Sequence, residues 1–76
     1  MVYQKPLTID DLAPDGVKIV VDWSAMTVGA SVFIPCVNTT KARNQAIEVA
    51  VRKKWTLETR TRIENGMFGV RIWRTV

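Results

Sequence analysis

Arginines are the side chains of this chain best suited to recognition chemistry, and they gather near its C-terminus. Residues 58–74 read ETRTRIENGMFGVRIWR, which holds Arg60, Arg62, Arg71 and Arg74 together with Trp73. Arginine grips phosphates and carboxylates through paired hydrogen bonds, and its flat guanidinium stacks on bases and aromatic rings. Trp73 adds a ring on which an unpaired base can stack. Arg, Trp and Met are also the residue types enriched where proteins bind proteins. Catalytic chemistry has a poorer inventory. The chain has no His and one Cys, Cys36, so it assembles neither a His-activated nucleophile nor the usual zinc ligand set. No phosphate-binding loop or nucleophile elbow is present. The adjacent Asp10 and Asp11 suit the N-terminal dipole of a helical turn better than they suit a cation. The expectation is a non-enzymatic protein with no cofactor and no metal.

The elements that must position these arginines are legible around Asn65-Gly66. A two-residue type I′ turn needs φ > 0 at both central positions, and Asn-Gly supplies them. That turn sets a register in which Ile63 faces Phe68, Thr61 faces Val70, and Thr59 faces Ile72. Period-two alternation then sorts the side chains. Trp55, Leu57, Thr59, Thr61 and Ile63 share an apolar face with Phe68, Val70 and Ile72. Arg60, Arg62, Arg71 and Trp73 fall on the other face with Glu58 and Glu64, while Arg74 falls on the apolar side. Arg60 stands directly opposite Arg71, an arrangement that costs a few tenths to about 1 kcal/mol unless the glutamates relieve it. Trp73 has a plainer role open to it, as a partly covered ring packed on Arg stems or a partner subunit.

Upstream, NTTKARNQAIEVAVRKKW from Asn38 to about Trp55 has helical periodicity, with Thr39 or Thr40 as the cap. Ala42, Ala46, Val49 and Ala50 form its apolar stripe, widened by Ile47 and Val51. Arg52, Lys53 and Lys54 close the helix, where they complement the dipole and also extend the basic surface toward phosphates. VKIVVDW at 17–23 and SVFIP at 31–35 alternate as strands, separated by a break at Gly29. Residues 1–16 form an N-terminal arm, in which Thr8 caps a short turn through Leu12 and Pro14-Asp15-Gly16 turns the chain. Such an arm is ordered on binding or covers an open sheet edge.

The expected fold is therefore α+β: a small antiparallel sheet with one helix packed on one face, in the order β-β-α-β-β. The arm is residues 1–16 and a single domain spans 17–76. The helix would bury Ala42, Ala46, Ile47, Val49 and Ala50 against Leu57, Ile63, Phe68, Val70 and Ile72. The pairing of strands 17–23 and 31–35 stays open, within the same sheet or with a partner's.

Composition agrees with a contact protein. At 76 residues and 47% apolar content the chain suits one small core with a thin stability margin. One cysteine allows no internal disulfide, so a homodimer is a remaining source of burial. A lone Cys and the lack of a membrane-length apolar run or a signal-peptide pattern fit a cytoplasmic protein with no membrane partner. Net charge is +4 but unevenly spread. Residues 1–40 carry two basic against four acidic residues, and residues 41–76 carry nine against three. A basic C-terminal half fits nucleic acid or an acidic protein surface. A β-ribbon suits a major groove, and Trp73 suits a single strand.

Residues 26–35, MTVGASVFIP, resemble a stretch of small tailed-phage accessory proteins, written VG-x-S-x-F-x-P. Those proteins continue with a basic helix and a short hairpin ending R-V-W-R. Here the ending is Val70-Arg71-Ile72-Trp73-Arg74, and the preceding TLETR is similar to their KFTTR. The likeness spans about residues 26–74 and leaves out the arm. The linker ENGMFG and Cys36 lie outside its pattern. It implies a phage-encoded protein acting in the bacterial host cytoplasm, and it carries over no catalytic residues. Two functions follow as expectations. One is a nucleic-acid-binding or regulatory protein using Arg60, Arg62, Arg71 and Trp73, with Arg52, Lys53 and Lys54 on phosphates. The other is an inhibitor docking on an acidic surface of a host enzyme or defence complex.

Overall fold

The computed structural model describes residues 10–76. A 3₁₀ turn at Trp23–Ala25 is followed by β1 (Ser31–Pro35), α1 (Thr39–Lys53), β2 (Leu57–Glu64) and β3 (Met67–Arg74). One helix and a three-stranded antiparallel sheet make an α+β fold, with strand order β1-β3-β2. The expected β-β-α-β-β order is thus corrected to β-α-β-β, because residues 17–23 do not form a strand. Only Ile19 pairs, exchanging backbone hydrogen bonds with Leu12 at 3.0 and 2.6 Å. The turn between them is closed by Gly16 N–H donating to Ala13 C=O, with Gly16 at φ +85°. Beyond Ile19 the chain is drawn to the helix side. The Trp23 indole donates to Asp10 C=O at 2.7 Å, and its ring lies 6.4 Å from that of Trp55. β-propensity without a ladder partner is overridden by such packing. Thr8, the expected cap of the first turn, lies outside the described residues.

The hairpin follows the turn chemistry. Asn65 and Gly66 sit at φ +51° and +76°, and the pairs run from Glu64–Met67 to Leu57–Arg74, including Arg60–Arg71 and Glu58–Trp73. β1 then adds to the far side of β3, placing Phe33 beside Arg71 and Ser31 beside Trp73. Ala42, Ala46 and Val49 of α1 are buried with Ile34, Val70 and Ile72 on one face of this sheet, and Ala50 is buried as well. Leu12, Trp23 and Met26 complete the same core. Of the residues read as an arm, 10–16 are fastened there: the Ala13 N–H donates to Gln45 Oε1 at 2.9 Å. Ile47, Ile63 and Phe68 were expected in this core and are instead exposed. Arg43, in the first turns of α1, already reaches Thr61, so the hairpin tip projects past the helix start.

The helix begins one residue earlier than the expected caps. Asn38 is the N-cap, and its side-chain oxygen accepts from Lys41 N–H at 3.0 Å. Asp15 reinforces this end, its carboxylate accepting from the N–H groups of Val37 and Asn38, both at 2.8 Å. Those two backbone donors, Asn38 first, hold the Asp15 carboxyl below its ordinary value of 3.8. A carboxyl lowered by folding contributes stability above its unfolded pKa and loses it as pH falls through the folded one. Glu64, described below, behaves alike. The melting temperature should therefore hold steady from about pH 7 to pH 5.5 and fall steadily below about pH 4.5. Asp15→Asn should remove part of that fall, and a flat profile down to about pH 3 would refute the assignment.

Candidate nucleic-acid interface

The face of the sheet opposite α1 is built by alternation. β2 contributes Glu58, Arg60, Arg62 and Glu64; β3 contributes Arg71 and Trp73; β1 contributes Ser31, Phe33 and Pro35. Because β3 is central, Arg71 sits between Arg60 and Phe33, and Trp73 between Glu58 and Ser31. Gly69, in the same row as Arg62 and Pro35, is buried where the β1 backbone closes over it.

The Arg60–Arg71 opposition is relieved diagonally. Arg71 donates from Nε and Nη2 to the two Glu64 carboxylate oxygens at 2.6 and 2.5 Å, and from Nη1 to Ser31 Oγ at 2.8 Å. This bidentate pair lowers the Glu64 pKa and raises that of Arg71. The Arg71 guanidinium also lies 5.8 Å from the centroid of the Phe33 ring. Arg62 and Arg60 make looser pairs, at 3.5 Å to Glu64 and 3.4 Å to Glu58. Exposed pairs of that kind are worth about 0–1 kcal/mol and exchange readily. Side-chain exposure follows the same order, 69% for Arg60, 49% for Arg62 and 25% for Arg71. Arg60 and Arg62 are the arginines open to a ligand, and Arg71 is committed to the protein. Beside Arg60, Trp73 forms one wall of an open cavity of about 360 Å³, completed by Val28, Gly29, Glu58, Arg74 and Thr75.

The residues proposed from sequence divide into two groups. Arg60, Arg62, Arg71 and Trp73 come together on the outer face. Arg52 and Lys53 lie on the helix side, where they pair with Asp10 at 3.1 and 3.6 Å. Lys54 is the exposed, left-handed C-cap of α1. A basic surface continuous from hairpin to helix end is therefore not formed, since the sheet separates the two. Arg74 falls on the inner side as its register required. Its guanidinium covers the Trp55 ring at 4.0 Å and donates to Met26 C=O at 3.0 Å. Phe33 was missed as a site residue, because only the pairing of β1 with β3 brings it beside Arg71.

Compared with family models, curated proteins and solved structures, the chain matches none. Its functional reading rests on its own geometry. Among the described residues no cluster of three or more His, Cys, Asp or Glu is placed to hold a metal, and no helix is long and apolar enough to cross a membrane. The Cys36 thiol is buried beside the core, which raises its pKa.

Proposed function

We propose that the outer sheet face binds single-stranded nucleic acid without catalysis. Trp73 and Phe33 serve as stacking surfaces, and Arg60 and Arg62 contact phosphates. The observation that carries this is the position of Trp73: half-buried at its base, yet walling an open cavity next to the most exposed arginine of the face. Aromatic rings on an open sheet, flanked by arginines, are the arrangement on which successive unpaired bases stack. A duplex is disfavoured by the topology. A two-stranded ribbon enters a major groove, but here Arg71 and Trp73 lie on the central strand and β1 flanks them. In the host cytoplasm that the phage resemblance implies, such a face suits a regulatory role on exposed RNA or DNA.

Fluorescence anisotropy with labelled single strands and duplexes of equal length tests this. With two phosphate contacts, the log–log salt slope for a single strand should be about −1.4, a loss of about sevenfold between 50 and 200 mM salt. Trp73→Ala should weaken single-strand binding about fivefold or more, since one stacked base is worth about 1–3 kcal/mol. Glu64→Gln should release Arg71 and Arg62 and so strengthen binding while steepening the slope. Equal affinity for duplex, or affinity indifferent to both salt and Trp73→Ala, would overturn the proposal.

One observation favours a second reading, an inhibitor that docks on an acidic host-protein surface. Met67 and Phe68 stand exposed at the hairpin tip around a second open cavity of about 370 Å³. Exposed Met and aromatic residues near arginines are typical of protein contact sites. Partner capture from host lysate that survives nuclease treatment supports this reading, and capture lost with nuclease supports the first.

A further inference from the structure

We infer that β2 is the self-association edge of the chain, pairing antiparallel with β2 of a second copy to make a continuous six-stranded sheet. The inference does not rest on nucleic-acid binding. It starts from the strand order β1-β3-β2, in which β2 is an outer strand of eight residues. The hydrogen bond from Thr75 N–H to Thr56 C=O sets the even-numbered residues of this strand toward β3. The N–H and C=O groups of Leu57, Thr59, Thr61 and Ile63 therefore point outward, and among the described residues no strand takes them.

The two edges of the sheet are not alike. β1 is five residues long and ends in Pro35, which shortens and blunts it as a pairing template. β2 has neither Pro nor Gly, and its pairing with β3 is uninterrupted. It is also flanked by apolar surface. Arg43 reaches Thr61 from α1, so Ile47 and Val51, one and two turns further along the same row, overhang the rest of the strand. Val51 and Ile63 are 71% and 70% exposed.

Charge complementarity selects a second copy as the occupant. A two-fold axis through Arg60 sets Glu58 against Arg62 of the second copy, Thr59 against its Thr61, and Leu57 against its Ile63, each twice by symmetry. The two Arg60 side chains meet at the axis, each beside its own Glu58. Moving the axis to Thr61 sets Glu58 against Glu64 and Arg60 against Arg62, which like-charge repulsion disfavours. Moving it to Thr59 separates Leu57 from Ile63. An interface of this kind is isologous and closes on itself, so growth stops at the dimer. It also adds backbone hydrogen bonds and apolar burial to a small fold that has little of either to spare.

Sedimentation velocity on the full chain over about 1–200 µM tests this, an affinity range usual for modest interfaces. The expected result is a concentration-dependent rise from 8.6 kDa toward twice that mass. Ile63→Lys, at an exposed position, should weaken the dimer about tenfold or more by placing charge on the apolar flank. Glu58→Arg and Arg62→Glu should each weaken it, and the double exchange should restore it, with circular dichroism confirming that every variant is folded. A monomer mass at all concentrations overturns the inference. So does a dimer indifferent to Ile63→Lys, or one that the double exchange fails to restore. If deleting residues 1–9 turns a monomer into a dimer, the edge belongs to that segment in the full chain, which also overturns it.

Discussion

Gly69→Ala should destabilise the fold by about 3 kcal/mol or more, at the upper end of what overpacking costs. The reason is space, since Gly69 has ordinary extended backbone. A Cβ at position 69 would collide with the Ile34 carbonyl oxygen and stand 2.8 Å from Pro35 Cα. These are backbone atoms of the paired strand β1, so no side chain can rotate away. Relief requires β1 to move off β3, which breaks the ladder that holds Ile34, Val70 and Ile72 in the core. A domain of this size has a total stability of roughly 4–11 kcal/mol. The melting temperature should drop by roughly 12–24 °C, and the urea midpoint should fall with it. A variant within about 0.5 kcal/mol of the parent, the range usual for neutral surface changes, would show that β1 lies further from β3 than described.

Leu12→Ala should cost about 2–5 kcal/mol, the usual range for emptying a fully buried leucine site. Leu12 has no exposed surface and belongs to the same core as Ala42, Val49 and Ile72. Its backbone pairing with Ile19 survives the substitution, so the loss isolates the side chain. Equilibrium urea unfolding, with an unchanged denaturant slope, reads that cost directly. A cost below about 1 kcal/mol would mean that residues 10–16 rest on the surface rather than close the core.

Leu12 also shows where sequence patterning stops. It lies in a stretch dense with turn residues, so nothing local marks it as core. Its burial depends on Ala42, Val49 and Ile72, which lie far from it along the chain. Residues 17–23 fail in the opposite direction: their alternation is strong, yet among the described residues they pair only through the single bridge of Ile19 to Leu12. Ile47 and Phe68 are further cases. Each sits on the core-side face of its own element, yet Phe68 is exposed because the hairpin extends beyond the helix start, and Ile47 because its row of α1 lies toward the outer strand β2.

The hairpin and the helix were determined by the sequence itself, because their causes are local. Asn65-Gly66 supplies two positive φ angles, and from that turn every pair through Arg60–Arg71 follows by parity. The alanine stripe on residues 42–50 likewise specifies which side of α1 meets a sheet. Tertiary structure alone decided what the arginines became. It set β1 on the far side of β3, which brought Phe33 to Arg71 and made the ribbon a three-stranded face. It also tied Arg71 to Glu64 and Ser31 and drew Arg52 and Lys53 to Asp10 on the opposite layer. Contacts between residues distant in the chain depend on which elements share a layer, and no short-range periodicity encodes that. ETRTRIENGMFGVRIWR names the side chains of the proposed interface. The layer order selects Arg60, Arg62 and Trp73 as the ones left open to a ligand.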